Sequence, residues 1–314
     1  MSKRLRKLRD WFARKTWWRW ALRFGFVGVA AWLGLQAVVT LMPLPKGMDV
    51  SPVFSPQATD RNGEPLRLLL TSDERFFQPV VLKECAPVFL RATLAAEDKR
   101  FWGHSGVDWF STARAMKEIA VHRRVMSGAS TITQQLIKNA EPRPRTVRTK
   151  ILENLQALKL ERAWGKEQIL AAYLNRIDYG NLCRGAGTAA WFYFNKPLAD
   201  VSPAEAAFLA ALPNGPSRLN PHRHFERAKR RQLTILGRMQ RLGWLGAAAH
   251  RRASAEPIAL HREGRAFAAA HFVDLVRQQR EMKTDVRTTL DLPLNRFVHR
   301  TLIDRLDRLT KRNV

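Results

Sequence analysis

Residues 95–108 read AAEDKRFWGHSGVD. Two adjacent carboxylates, Glu97 and Asp98, precede the aromatic pair Phe101 and Trp102, and His104 and Asp108 follow. A solvated helix face needs no aromatics at these positions, and a hydrophobic core excludes unpaired acids. The mixture points to a cleft. Upstream, VFLRATLAAEDKRFW places apolar residues at helical spacing behind Pro87, which suits a first helical turn. The spacing predicts a helix running through the whole stretch. On it Glu97 and Phe101, four residues apart, share a face, while Asp98 points about 100° away. A carboxyl held against an apolar wall has its charged form disfavoured and can exchange protons near neutral pH. Taken alone, the stretch reads more simply as an exposed Glu-Asp pair beside a core aromatic.

Two further stretches carry polar groups where a plain surface helix would not. In GASTITQQLIKN, 128–139, helical spacing puts Thr131, Gln135, Lys138 and Asn139 on one face and Ile132 and Leu136 on another. Gly128 permits an unusual turn, and Ser130 or Thr131 can cap the helix. Hydroxyl, amide and ammonium donors pointing one way suit a diphosphate or sugar hydroxyls. A solvated face would more often show Glu/Lys pairs. In RPRTVRTKILENLQALKLER, 143–162, Lys150 and Glu153 form an i,i+3 pair, with Ile151, Leu155 and Leu158 on another face. Alone, this third stretch reads as an exposed, salt-bridged helix.

The rest of the chain sets the surroundings. Its 314 residues carry a formal net charge of +27, which points to a polyanionic setting, either nucleic acid or an anionic membrane surface. The first 23 residues hold nine Lys/Arg and one Asp; the following 22, FGFVGVAAWLGLQAVVTLMPLP, hold no charge. As a helix those 22 would span about 33 Å, a bilayer core, with Trp17, Trp18 and Trp20 at the basic end. No A-x-A pattern follows that would mark a cleaved leader. The positive-inside bias predicts a cytoplasmic N-terminus and a catalytic part in the periplasm. Arg61-Asn62-Gly63-Glu64 predicts a hairpin turn, and Ser202, Pro203 and Glu205 predict a capped helix start. The expected organisation is a basic tail, 1–23, a transmembrane helix, 24–45, and a lead-in, 46–85. A mostly helical catalytic domain, 86–245, and a helical C-terminal segment, 246–314, follow. Two cysteines, Cys85 and Cys183, make no disulfide framework, and no CxxC or HExxH suggests zinc.

Together these stretches resemble the ordered motifs of the peptidoglycan glycosyltransferases, glycosyltransferase family 51. E-D-x-x-F-x-x-H-x-G-x-D is matched from Glu97 to Asp108, and G-[AG]-S-T-[IL]-T-Q-Q-x-x-K-N from Gly128 to Asn139. R-K-x-x-E is matched in part, with Thr149 in place of the Arg, then Lys150 and Glu153. I-L-x-x-Y-L-N stands at Ile169 to Asn175, and S-x-x-E-A-A-x-L-A at Ser202 to Ala210. The resemblance covers about residues 50–245, and its wording is closest to the 1C type of class A penicillin-binding protein.

The resemblance implies a mostly α, lysozyme-like fold that polymerises lipid II and releases undecaprenyl diphosphate. It makes Glu97 the general base and Glu153 the second carboxylate, on the diphosphate side. Lys138 matches a diphosphate-contacting lysine; Thr131, Gln135 and Asn139 match polar lining; Asp98, Phe101 and His104 match residues that shape the cleft. Arg148 is the candidate stand-in for the missing Arg, though it points about 100° away from position 149. A divalent cation, Mg or Mn, is the one cofactor implied. The expected partners are lipid II, the growing glycan strand, the membrane and other cell-wall synthesis proteins, with no nucleic acid. Residues 285–302 resemble the opening of the transpeptidase part that follows in class A proteins, but no Ser-x-x-Lys or Lys-Thr-Gly occurs in the sequence. A monofunctional enzyme and the front part of a bifunctional one both remain open. A lytic transglycosylase or muramidase would also use a lone Glu in a helical fold, but needs no diphosphate site. A nucleic-acid-binding membrane protein would explain the charge but not five ordered motifs.

Overall fold

A computed structural model describes residues 3–48, 53–114, 130–261 and 267–310. Gly128 and Ala129 of the second motif lie outside them. The architecture is mostly α, as expected. Helix α1 (Lys3–Leu41) precedes the strands β1 (Gln57–Thr59), β2 (Pro65–Leu68) and β3 (Phe76–Phe77). The central body then runs through α2 (Pro87–Glu97), α3 (Ile132–Ala140), α4 (Val147–Ala163), α5 (Lys166–Arg176), β4 (Cys183–Arg184) and α6 (Ala186–Phe194). It continues with α7 (Pro203–Ala211), α8 (Pro221–Arg241) and α9 (Ala247–Ala255), and α10 (Ala270–Gln279), β5 (Val286–Arg287) and α11 (Leu292–Thr310) follow.

The centre of the body is α7. Its sequence PAEAAFLAA buries nearly every side chain, and the small ones let α2 and α8 pack directly on it. The start of α7 was legible locally. Ser202 accepts from the Glu205 amide, Glu205 accepts from the Ser202 amide, and Pro203 occupies the first turn. Helix α8 is two-faced. Ala228, Gln232, Ile235, Leu236 and Met239 turn inward, and a row of arginines faces out.

Within α1, Arg19–Leu41 is long and apolar enough to cross a membrane, with a mean hydropathy of 1.8. The helix ends at Leu41, four residues before the expected boundary at 45. Pro43 accounts for this, because it disfavours helical backbone at Met42 before it. The foot of α1 is pinned to α4. Lys159 Nζ donates to the Thr40 carbonyl (2.6 Å), and Gln156 Nε2 donates to that of Pro43 (2.9 Å).

A second, smaller apolar cluster joins distant parts of the chain. Ala58, Leu66, Leu69, Val273 and Leu292 are buried together. Its frame is a three-stranded sheet of order β2-β1-β5: β1 and β2 form the expected antiparallel hairpin, and β5 adds parallel to β1. Asp60 shapes the hairpin turn by accepting from the amides of Asn62 and Glu64. The sequence reading treats 46–85 and 246–314 as separate segments; the structure packs parts of both into one unit.

Candidate active site

Helix α2 ends at Glu97, so the predicted continuation to Trp102 does not form. Asp98 leaves helical geometry (φ −156°, ψ 77°) because its side chain is claimed from two sides. The amide of Ile132 donates to Oδ2 at 3.0 Å, and His104 Nε2 lies 2.9 Å from the same oxygen. The Gly106 amide donates to His104 Nδ1 (3.1 Å), so Nε2 carries the proton given to Asp98. Glu97 and Phe101 therefore share no helix face. Phe101 lies in a short 3-10 turn, fully buried in the core, with Lys166 Nζ 4.4 Å above its ring. It shapes the core rather than the cleft, and His104 acts through Asp98.

The motif residues around this point tie three segments together. Thr131 caps α3, accepting from the Gln134 amide, and donates its own hydroxyl proton to the Gly106 carbonyl at 2.6 Å. Gly106 sits at φ +95°, where a Cβ would come within 2.5 Å of the Ala157 carbonyl oxygen in α4. Asp108 accepts from Arg100 and from the Ser111 amide at the start of helical residues 109–114. Burial pushes Asp108 up, but the Ser111 hydrogen bonds and the Arg100 guanidinium outweigh it and hold its pKa at about 2.

These ties hold open a cleft of about 1020 Å³. Glu97, Thr131, Gln135, Lys138, Asn139 and Glu153 line it, as does Asp98. Lys138 and Asn139 are exposed, and Glu97 and Glu153 are largely shielded. Lys150 stands behind the wall: its ammonium reaches Ser130 (2.8 Å), Gln134 (3.2 Å) and Glu153 (3.4 Å). Arg148 is exposed and is not among the described residues that line the cleft. The inward face of α4 is Glu153, Gln156, Ala157 and Leu160; Ile151, read from the sequence as part of an apolar face, is 56% exposed. A carboxylate buried on the inner face of a helix is not the exposed salt-bridged pair that its local sequence suggests.

The setting of Glu97 is polar, not the expected apolar wall. Gln135 Nε2 donates to Oε2 at 2.9 Å, and Gln135 in turn accepts from the buried Tyr173 hydroxyl at 3.3 Å. Burial and the Glu97 charge drive the Tyr173 pKa well up, so this phenol stays a donor. Glu97 Oε1 is buried and accepts no hydrogen bond within the described residues, and the Arg231 guanidinium lies 3.5 Å from it. A carboxylate held by Gln135 on one oxygen and by Arg231 on the other, lining a cleft, is fixed in place to take a proton.

Sequence reasoning missed Arg231 and with it Arg218, Arg238 and Arg241, which line the same cleft. Their charge was visible, but 134 positions of chain separate Arg231 from Glu97. The one available signal was the period of α8, which gathers the arginines on the face opposite its apolar residues.

The Transglycosylase family model matches residues 62–240. Penicillin-binding protein 1C of Escherichia coli (strain K12) is 41% identical over 199 residues, covering 63% of this chain and 26% of that protein. Penicillin-binding protein 1A of Aquifex aeolicus (strain VF5) is 32% identical over 306 residues, covering 92% of this chain and 42% of that protein. The chain thus spans less than half the length of either relative. The crystal structure of penicillin-binding protein 1A from Haemophilus influenzae matches at a TM-score of 0.43 and 20% identity, over 78% of this chain and 28% of that one.

Proposed function

The chain belongs to the transglycosylase family, and from that premise we propose that it is a peptidoglycan glycosyltransferase, polymerising lipid II into glycan strands with release of undecaprenyl diphosphate. The carrying observation is the setting of Glu97: it lines the cleft, with Oε2 held by Gln135 at 2.9 Å and Oε1 paired with the Arg231 guanidinium at 3.5 Å. Glu97 is the general base. It takes the proton of the acceptor's 4-hydroxyl, whose oxygen bonds to C1 of the donor sugar. The bond from C1 to the diphosphate oxygen breaks, and its electron pair leaves with the diphosphate. Arg231 and Gln135 hold the base in place for this step.

Charge develops on the leaving group, and cations placed beforehand stabilise it. Lys138, exposed in the cleft, and Lys150, joined to Glu153 at 3.4 Å, supply that charge. A carboxylate beside a diphosphate is repulsive without such a neighbour. Among the described residues no three His, Cys, Asp or Glu side chains gather to hold a metal. The single carboxylate of Glu153 fits a Mg or Mn ion only in the way hard cations share one carboxylate with substrate phosphates. Such an ion would add positive charge at the diphosphate, and Glu153 would be its protein ligand. The apolar part of α1 anchors the enzyme in the cytoplasmic membrane, with the cleft on the periplasmic side.

Glu97→Gln keeps size and hydrogen bonding but removes the base. Glycan formed per minute from lipid II should fall by about 10²–10⁴ while the protein still folds cooperatively, its melting temperature lowered only by the lost pairing with Arg231. Near wild-type turnover would remove this mechanism. Cleavage of preformed glycan by the wild type, without polymerisation, would instead place the enzyme among the lytic transglycosylases.

A further inference from the structure

Beyond the catalytic cleft, α8 carries Arg227, Arg230, Arg231, Thr234, Arg238 and Arg241. At 100° per residue, these six positions fall within about 100° of one another. The first four of them line a second concavity of about 320 Å³ together with Asn214 and Arg218. This groove is continuous with the catalytic cleft, because Asn214, Arg218 and Arg231 line both.

Among the described residues no carboxylate lines the groove. Among the described residues Glu97 is the one acid paired to this arginine row, through Arg231. Arg227 and Arg230 are exposed, and among the described residues neither forms an ion pair. Like charges held side by side repel, and the neighbouring guanidinium groups of Arg238 and Arg218 help push the Arg231 pKa down, after burial itself. An arrangement of this kind calls for an anion that arrives with a ligand. Two positions narrow the choice. The groove opens beside Glu97, where the acceptor sugar must sit. The membrane helix α1 docks instead on α4, through Gln156 and Lys159, while α8 packs on α2, α7 and α9.

We propose that this arginine groove binds the carboxylates of the peptide carried on the substrate's sugar, so that the enzyme reads the peptide as well as the glycan. The proposal rests on the glycosyltransferase reading above, which supplies a peptide-bearing substrate. Its specific content is that Arg227 and Arg230 set a preference for free peptide carboxylates over amidated ones.

Two measurements on the full chain in neutral detergent test it. The first is the Kd of a soluble disaccharide-pentapeptide, which needs no catalysis. Arg227→Gln with Arg230→Gln should weaken it by about ten-fold, as expected for two partly exposed charge-assisted contacts. The second is the KM ratio between lipid II with amidated and with free peptide carboxylates. It should be well above one in the wild type and collapse toward one in the double variant, through a rise in KM for the free-carboxylate form. A wild type that binds the muropeptide in an arginine-dependent way yet polymerises nothing would sink the glycosyltransferase reading and leave the groove standing. An unchanged Kd and KM ratio in the double variant would overturn the groove proposal. So would displacement of the muropeptide by inorganic diphosphate alone. Arginine-dependent capture of phosphatidylglycerol from mixed micelles without muropeptide binding would also overturn it, assigning the row to the membrane surface.

Discussion

Gly106→Ala tests whether the loop of residues 98–108 and helix α4 form one rigid seat for the two carboxylates. The added Cβ would lie 2.5 Å from the Ala157 carbonyl oxygen, 2.7 Å from its carbon and 3.0 Å from the Leu158 nitrogen. All three are backbone atoms within a 17-residue helix, so no side chain can swing aside. Alanine at φ +95° costs about 1–2 kcal/mol, and overpacking against fixed backbone costs about 1–3 kcal/mol more. The sum, roughly 2–5 kcal/mol, corresponds to a fall of about 5–15 °C in melting temperature for a domain of this size. Any relief must move α4, which carries Glu153, away from the loop that carries Asp98 and the end of α2. A displacement of about 1 Å at such a site costs on the order of 10² in rate. The assay is thermal unfolding alongside glycan formation from lipid II. Gly103→Ala is the control, since its Cβ would meet nothing within 4 Å. A Gly106→Ala protein melting within about 1 °C of wild type, with full turnover, would refute the rigid-seat argument.

The two positions that competed for the motif's missing Arg can be separated. Lys150→Ala strands the shielded Glu153 carboxylate and should lower turnover by at least about ten-fold, whereas Arg148→Ala should cost less than about three-fold. Thr149→Arg adds a cation near the first turn of α4 and should raise lipid II turnover or leave it unchanged; a large loss would show that Thr149 has its own role beside Thr146. Asp108→Asn should cost about 1 kcal/mol at neutral pH, a figure kept low by the exposure of Arg100. Because the folded pKa of about 2 lies below the ordinary 3.8, the difference from wild type in urea melts should hold above about pH 4 and vanish toward pH 2. A phosphatase fused after Thr310 should be active only outside the cytoplasm, and a fusion active only inside would reverse the membrane orientation.

Features set by a few neighbouring residues could be read before folding. The Ser202 box, the Thr131 cap, the hairpin at residues 61–64 and the i,i+3 pair of Lys150 and Glu153 all depend on contacts within four positions. The reading of Glu97 against Phe101 failed for the opposite reason. Periodicity carried the helix onward, but His104 and the Ile132 amide recruit Asp98 and stop it at Glu97. Ile132 is 34 positions away, beyond the reach of any local pattern. Likewise Phe101 was named for its type and spacing, while its burial is decided by packing. Arg231 shows the limit most clearly. Its charge entered only the chain's total of +27, and only the stacking of α8 on α7 and α2 brings it to Glu97.

The parallel pairing of β1 with β5 has a mechanical meaning. The chain runs from α1 into the N-terminal end of β1 and leaves the C-terminal end of β5 toward α11. Tension between the membrane helix and whatever lies beyond residue 287 therefore pulls the two strands in opposite directions along their length. That is shear, in which the ladder and its flanking bonds carry the load at once instead of parting one by one. Those flanking bonds are Gln57 to Asp285, the Thr288 amide to Thr59, and Arg61 to Leu290. Force passes from residue 57 to residue 287 without crossing the helices that frame Glu97 and Glu153. Beyond the point where the foot of α1 is pinned to α4, the strands carry the load, and the helical body between residues 87 and 255 forms a side loop to the line of tension.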